Sequence, residues 1–138
     1  MNAVPFKPKV YLKEGCPFSF KLLVFLAESG ITGQVEVIRC NAAAPEFETI
    51  KSTLQAGLRK PATFPAAEIE PNRYLSDSDA LLEHFASKND VDIGGLPALS
   101  FYLQTIFPQL LRLHEEGRND RGSLAGRPAG TPRRGPST

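Results

Sequence analysis

The sequence of 138 residues has only two cysteines, Cys16 and Cys40, and two histidines, His84 and His114. So few thiols exclude a disulfide-stapled scaffold. Neither histidine stands at metal-ligand spacing from a cysteine, so no metal is expected. The longest unbroken apolar run, residues 22–27, is far shorter than the roughly 20 residues that cross a membrane. No apolar stretch of secretory-signal length opens the chain. A glycine-rich phosphate loop and internal repeats are also missing. These absences point to a cytoplasmic protein with reduced thiols and no membrane partner.

Charge is unevenly spread. Residues 1–116 carry 11 basic and 14 acidic side chains, whereas residues 117–138 carry five arginines and one aspartate among five glycines and three prolines. The latter stretch has no apolar periodicity and reads as a disordered basic tail. It lacks the interleaved aromatics of a nucleic-acid surface, so no nucleic-acid partner is expected. The rest divides into an N-terminal extension (1–8), a domain over 9–92 and a C-terminal helical extension (93–116) packed on that domain. This is enough chain for one core.

The chain turns on Cys16-Pro17-Phe18-Ser19. These residues join a short β-branched and aromatic run, 9–13, to an apolar segment that begins at Phe20. A cysteine there is placed to be a helix N-cap, with Pro17 at the first helical position, where its missing amide costs nothing. The first-turn amides and the positive end of the helix dipole then face the sulfur. The thiolate is the nucleophilic form of cysteine, and helix N-termini favour it. A terminus contributes at most about 2 kcal/mol. Lys13 and hydrogen bonds from the Phe18 and Ser19 amides or the Ser19 hydroxyl are the remaining sources of stabilisation. The competing reading is a small buried hydrophobe.

Further elements follow in order. A helix is expected over 17–29, stopped by Gly30, and apolar on nearly every side, so that it must be covered twice. A strand over 34–39 is expected parallel to the first. A second helix carries the stripe Phe47, Ile50, Leu54 and Leu58. Thr63-Phe64-Pro65 leads into a strand over 66–70, and Pro71-Asn72 turns it into an antiparallel partner over 73–75. A third helix is expected over 80–87, with Ser76 as N-cap and Asp79 three residues on. The last helix, 98–114, has the stripe Leu99, Leu103, Ile106, Phe107 and Leu110, and Pro108 should kink or split it near Thr105. The result is an α/β fold: a four-stranded mixed sheet, βαβ then ββα, with helices on both faces.

This order of elements, with Cys16-Pro17-Phe18-Ser19, Thr63-Phe64-Pro65 and Ser76-Asp77-Ser78, resembles a thioredoxin-fold domain of the glutaredoxin and glutathione transferase N-terminal type. The resemblance covers residues 10–86. It implies that Cys16 is the nucleophile forming a mixed disulfide with glutathione, the cosubstrate. It implies a cis Pro65 that presents the Phe64 backbone to the tripeptide's cysteine. Asp77 and Ser78 would hold the γ-glutamyl ammonium and carboxylate, chemistry that a helix N-terminus and an acidic side chain independently suit. Lys13 and Lys60 are candidates for the glycyl carboxylate, solvated surface lysines being the alternative.

Two departures qualify the analogy. Ser19 stands where a dithiol glutaredoxin has its second cysteine, so a second thiol must resolve the mixed disulfide. The large helical domain of a full transferase has no counterpart after Asp92 beyond one or two helices. The function expected is glutathione-dependent monothiol thiol–disulfide exchange, removing glutathione from glutathionylated proteins, by a monomer or weak dimer. A transferase acting on a small electrophile, a non-catalytic binding module and an iron–sulfur carrier are the alternatives. Pro17 speaks against the last of these, because single-cysteine cluster carriers usually have glycine there.

Overall fold

The computed structural model describes residues 6–113 and 115. The first five residues of the expected N-terminal extension and the whole expected basic tail lie outside them. Strand β1 (Lys9–Lys13) is central. It pairs in parallel with β2 (Glu36–Cys40) and antiparallel with β3 (Ala66–Glu70), and β3 pairs antiparallel with β4 (Arg73–Ser76). The sheet order is β2-β1-β3-β4. Helices α1 (Pro17–Glu28) and α2 (Phe47–Leu58) follow β1 and β2, and α3 (Ser78–Asn89) follows β4. This is the thioredoxin-like arrangement expected above.

Side chains of a strand alternate between its faces, and β1 uses both. Val10 and Leu12 join Leu22, Phe25 and Leu26 of α1, and Leu81 and Phe85 of α3, in the larger core. Tyr11 points the other way, into a smaller core with Cys40, Phe47, Leu54 and Ala66 under α2. Each large apolar side chain fully withdrawn from water contributes about 1.5–3 kcal/mol. The two cores therefore anchor β1 from above and below.

Beyond α3, helix α4 (Pro97–Phe101) continues through a π-helical turn (Tyr102–Ile106) and stays helical through residue 113. It covers α1, with Leu99 fully buried in the larger core. The Glu28 carboxylate accepts hydrogen bonds from the Ala98 and Leu99 amides at 2.7 and 2.8 Å, satisfying amides that a helix start leaves free. Among the described residues, no helix is long and apolar enough to cross a membrane.

The structure departs from the expected elements in three places. The second strand starts two residues late, because a 3₁₀ turn occupies Thr32–Gln34. Ser76 is no N-cap. Pairing opposite Ala66 holds it in β4, so α3 begins at Ser78 with Asp77 in the cap position and no side-chain cap bond. The last helix answers Pro108 with a widened turn and stays helical beyond it: the Phe107 amide reaches back five residues to the Tyr102 carbonyl. The wider turn changes the phase of the stripe, so Ile106 is 42% exposed while Tyr102 is buried.

Helix α2 lies against β4, and Gly57 allows that approach. A Cβ built there would overlap the Tyr74 ring at Cγ, Cδ1 and Cε1. Gly57→Ala is therefore expected to destabilise the protein by about 1–3 kcal/mol. In a domain of this size that lowers the thermal midpoint by several degrees. Circular dichroism melts check this, and an unchanged or higher midpoint contradicts it.

Candidate functional site

The end of β1 and the start of α1 are tied together by backbone bonds. The Glu14 amide donates to the Cys40 carbonyl at 2.9 Å, and the Cys16 amide donates to the Lys13 carbonyl at 3.2 Å. Gly15, at φ +80°, makes the reversal between them; a side chain is strained in that conformation. Cys16 is then extended (φ −100°, ψ 120°) and serves as N-cap of α1, with Pro17 at the first helical position.

The Cys16 Sγ accepts a hydrogen bond from the Ser19 amide at 3.4 Å and, as a thiol, donates to the Phe64 carbonyl at 3.9 Å. The Ser19 amide is one of the donors expected for the sulfur. The Ser19 hydroxyl instead accepts the Lys13 amide at 3.0 Å. Ser19 is buried, so it fastens the strand end to the helix start. Cys16 itself is partly exposed.

A cleft of about 500 Å³ opens beside the sulfur. Its walls include Lys13, Cys16, Phe18, Phe47, Lys51, Thr63 and Phe64. Phe47 and Phe64 stack at 5.6 Å. The Lys13 and Lys51 ammonium groups lie 6.0 and 5.8 Å from the Phe47 ring centre, which gives the cleft a cationic rim. The sequence reading missed Lys51. Its signal was present, one helical turn after Phe47 on the same face. Lys60 is exposed beyond the end of α2 and does not line the cleft.

The Phe64–Pro65 peptide is cis, as the resemblance implied, and Pro65 is fully buried. Asp77 and Ser78 do not line the 500 Å³ cleft. Ser76 pairs with Ala66, so Asp77 and Ser78 leave β4 at the end of the sheet where Phe64 and Pro65 enter β3. Asp77 is exposed and Ser78 buried. Asp77 has φ 87° and ψ 118°, a conformation that disfavours any residue with a side chain. Such strain costs about 1–3 kcal/mol and gathers at ligand-binding positions.

A second cavity of about 580 Å³ lies on the other side of Cys16 and is mainly apolar. Leu12, Pro17, Phe20, Leu23 and Val37 line it, and Leu110 closes it from the C-terminal helix. Cys16 is therefore shared by a cationic cleft and an apolar one. Cys40, in contrast, is 1% exposed. Burial, then the charge of Glu14, pushes its thiol up from the usual value. Both cysteines are free thiols. Among the described residues, no three His, Cys, Asp or Glu side chains group in a way that could hold a metal.

Thiol labelling should separate the two cysteines. At neutral pH a maleimide is expected to modify Cys16 rapidly and Cys40 only after denaturation. Mildly alkaline pH should not release Cys40, because its raised value keeps it protonated. Equal rates for the two thiols in the folded protein contradict this placement.

No protein-family model matches the sequence, and no curated protein does. Among solved structures, the chain is similar to glutathione transferase Omega 3C from Trametes versicolor, at 20% identity over 63% of this chain and 35% of that one, with a TM-score of 0.47. It is also similar to a possible glutathione S-transferase from Rhodopseudomonas palustris, at 21% identity over 59% and 40% of the two chains, TM-score 0.44. Glutathione transferase Omega 2C from Trametes versicolor follows, at 18% identity over 74% and 43%, TM-score 0.44. The matched part is less than half the length of each of these proteins. By its own strand order and pairing, the chain has a thioredoxin-like fold.

Proposed function

We propose that the protein catalyses glutathione-dependent monothiol thiol–disulfide exchange, with Cys16 as nucleophile. The observation that carries this is the placement of one partly exposed sulfur at a helix N-cap, with an amide on it and the Phe64 carbonyl facing it across a cleft. The Cys16 thiolate attacks the glutathione sulfur of a mixed disulfide. A new S–S bond to glutathione forms, the old S–S bond breaks, and the partner leaves as a thiolate. A second glutathione thiolate then attacks the Cys16 adduct, releasing oxidised glutathione and regenerating the Cys16 thiolate. The sulfur of Cys40 is too buried to resolve the adduct, and Ser19 has none.

In this reading residues 9–92 form the glutathione-binding domain and 93–116 its extension. The Phe64 backbone, with Thr63 beside it, pairs with the cysteine of the tripeptide. Asp77 takes the γ-glutamyl ammonium and the start of α3 at Ser78 takes its carboxylate. Lys13 together with Lys51 takes the glycyl carboxylate, a reading supported by their both lining the cleft, which Lys60 does not. A transferase-like reaction is the second reading, favoured by the apolar cavity beside Cys16, which suits an apolar electrophile.

Reduction of a glutathione mixed disulfide, coupled to NADPH through glutathione reductase, tests the first reading. The expected outcome is a rate above background that is lost in Cys16→Ser. Asp77→Ala should raise the KM for glutathione by about tenfold or more, the worth of a charge-assisted hydrogen bond. No rate above background with protein at stoichiometric amounts would end the proposal. Conjugation of an aryl halide that survives Cys16→Ser would favour the transferase reading.

A further inference from the structure

Tyr102 belongs to the C-terminal helix, 86 positions along the chain from Cys16, yet its hydroxyl donates to the Pro17 carbonyl at 2.7 Å. The residue is 5% exposed. Its ring meets Phe20 edge-on at 5.1 Å and Phe107 at 5.4 Å, and Phe107 in turn meets Phe18 edge-on at 5.5 Å. The start of α1, which bears the thiol, is thus gripped from the C-terminal helix by two aromatic rings, Tyr102 and Phe107, and one hydroxyl. The grip depends on the π-helical turn that begins at Tyr102, a feature that recurs at functional positions.

The carbonyl that Tyr102 reaches has a particular place in the helix. Pro17 is the first helical residue, and the peptide unit joining it to Phe18 is among those whose positive ends face the N-cap. A carbonyl has two lone pairs, so Tyr102 adds a donor to the ordinary helical bond rather than replacing it. A donor at the oxygen polarises the whole peptide unit and strengthens the positive potential at its N–H end. That end faces the N-cap of α1, which is Cys16. Burial, and secondarily charge on Cys16, push the Tyr102 phenol up to about 12, so it remains a donor wherever a thiol ionises.

We propose that Tyr102 is a positioning residue for the Cys16 thiolate, acting through its hydrogen bond to the Pro17 carbonyl. The C-terminal helix is then part of the thiol site and not merely a cover for α1. The inference rests on Cys16 being the reactive thiol. Lys13 at the end of β1, Glu14 from the turn, Lys51 from α2 and Arg39 from β2 also face the cavities that Cys16 shares. They remain the same in the variants compared below.

The test is the pH profile of Cys16 alkylation by iodoacetamide in the full chain. In Tyr102→Phe, which keeps the ring and loses the hydroxyl, the half-maximal pH is expected to rise by roughly 0.3–1 unit. Leu103→Ala, in the same helical segment but packed on the larger core, is expected to lower the melting temperature and leave the profile in place. In the unmutated protein, the ¹³Cζ resonance of Tyr102 should titrate with the same midpoint as the alkylation. An unmoved profile in Tyr102→Phe, or a flat Tyr102 resonance through that midpoint, overturns the proposal. The two readings fail separately. A moved profile without any disulfide exchange removes the assigned reaction and keeps the positioning, whereas intact exchange with an unmoved profile removes the positioning alone.

Discussion

The antiparallel pairing of β1 with β3 is the constraint from which the site follows. Tyr11 lies opposite Ala66 and Val10 opposite Ala67. The chain leaving β1 therefore reaches Cys16 at the same end of the sheet where the chain entering β3 arrives through Phe64 and Pro65. The two loops need no recognition of each other beyond this register. A slip by one residue would exchange Val10 and Leu12 with Tyr11 across the sheet, putting each in the wrong core. Because both faces of β1 are buried, that slip is opposed from two sides, and the sulfur-to-carbonyl approach inherits the precision of the cores.

The second constraint is the seam between α1 and the C-terminal helix, fastened at both ends of α1. Glu28 holds the start of α4 and Tyr102 holds the Pro17 end. Between them lies Lys21, 5% exposed, its ammonium 2.7 Å from the Asp79 carboxylate and 4.9 Å from the centre of the Phe107 ring. Removing an ammonium from water is costly unless a charge and hydrogen-bond acceptor accompany it. Asp79 supplies both from the first turn of α3. The same helix that presents Asp77 and Ser78 is thereby linked to the helix that presents Cys16.

Much of this was legible in the sequence, for stated physical reasons. The β-branched and aromatic run over residues 9–13, the proline ahead of residue 66 and the Gly15, Pro17 and Gly30 punctuation depend on local backbone chemistry, and β1, β3 and α1 appear where that chemistry places them. The N-cap position of Cys16 is of the same kind. What was not legible depends on tertiary contact. Ser76 has good cap chemistry but is held extended by Ala66 across the sheet. Phe20 is 48% exposed while its neighbour Lys21 is buried, an inversion that only the Asp79 and Phe107 partners explain. Lys51 acquires its place from the Phe47 ring, and Tyr102 from a change of helical phase that no regular period contains.

That change of phase is in effect an insertion already absorbed by the helix. A regular helix turns its side chains by about 100° per residue. Deleting a single residue between Tyr102 and Ile106 would restore an ordinary hydrogen-bond ladder, and by local criteria the segment would look improved. Because the wide turn already takes up that extra residue, Tyr102 before it and Phe107 and Leu110 after it would keep roughly their facing. A length change elsewhere in this helix, where no wide turn absorbs it, would swing Phe107 and Leu110 by about 100° per residue and alter the surroundings of the thiol without any substitution near it.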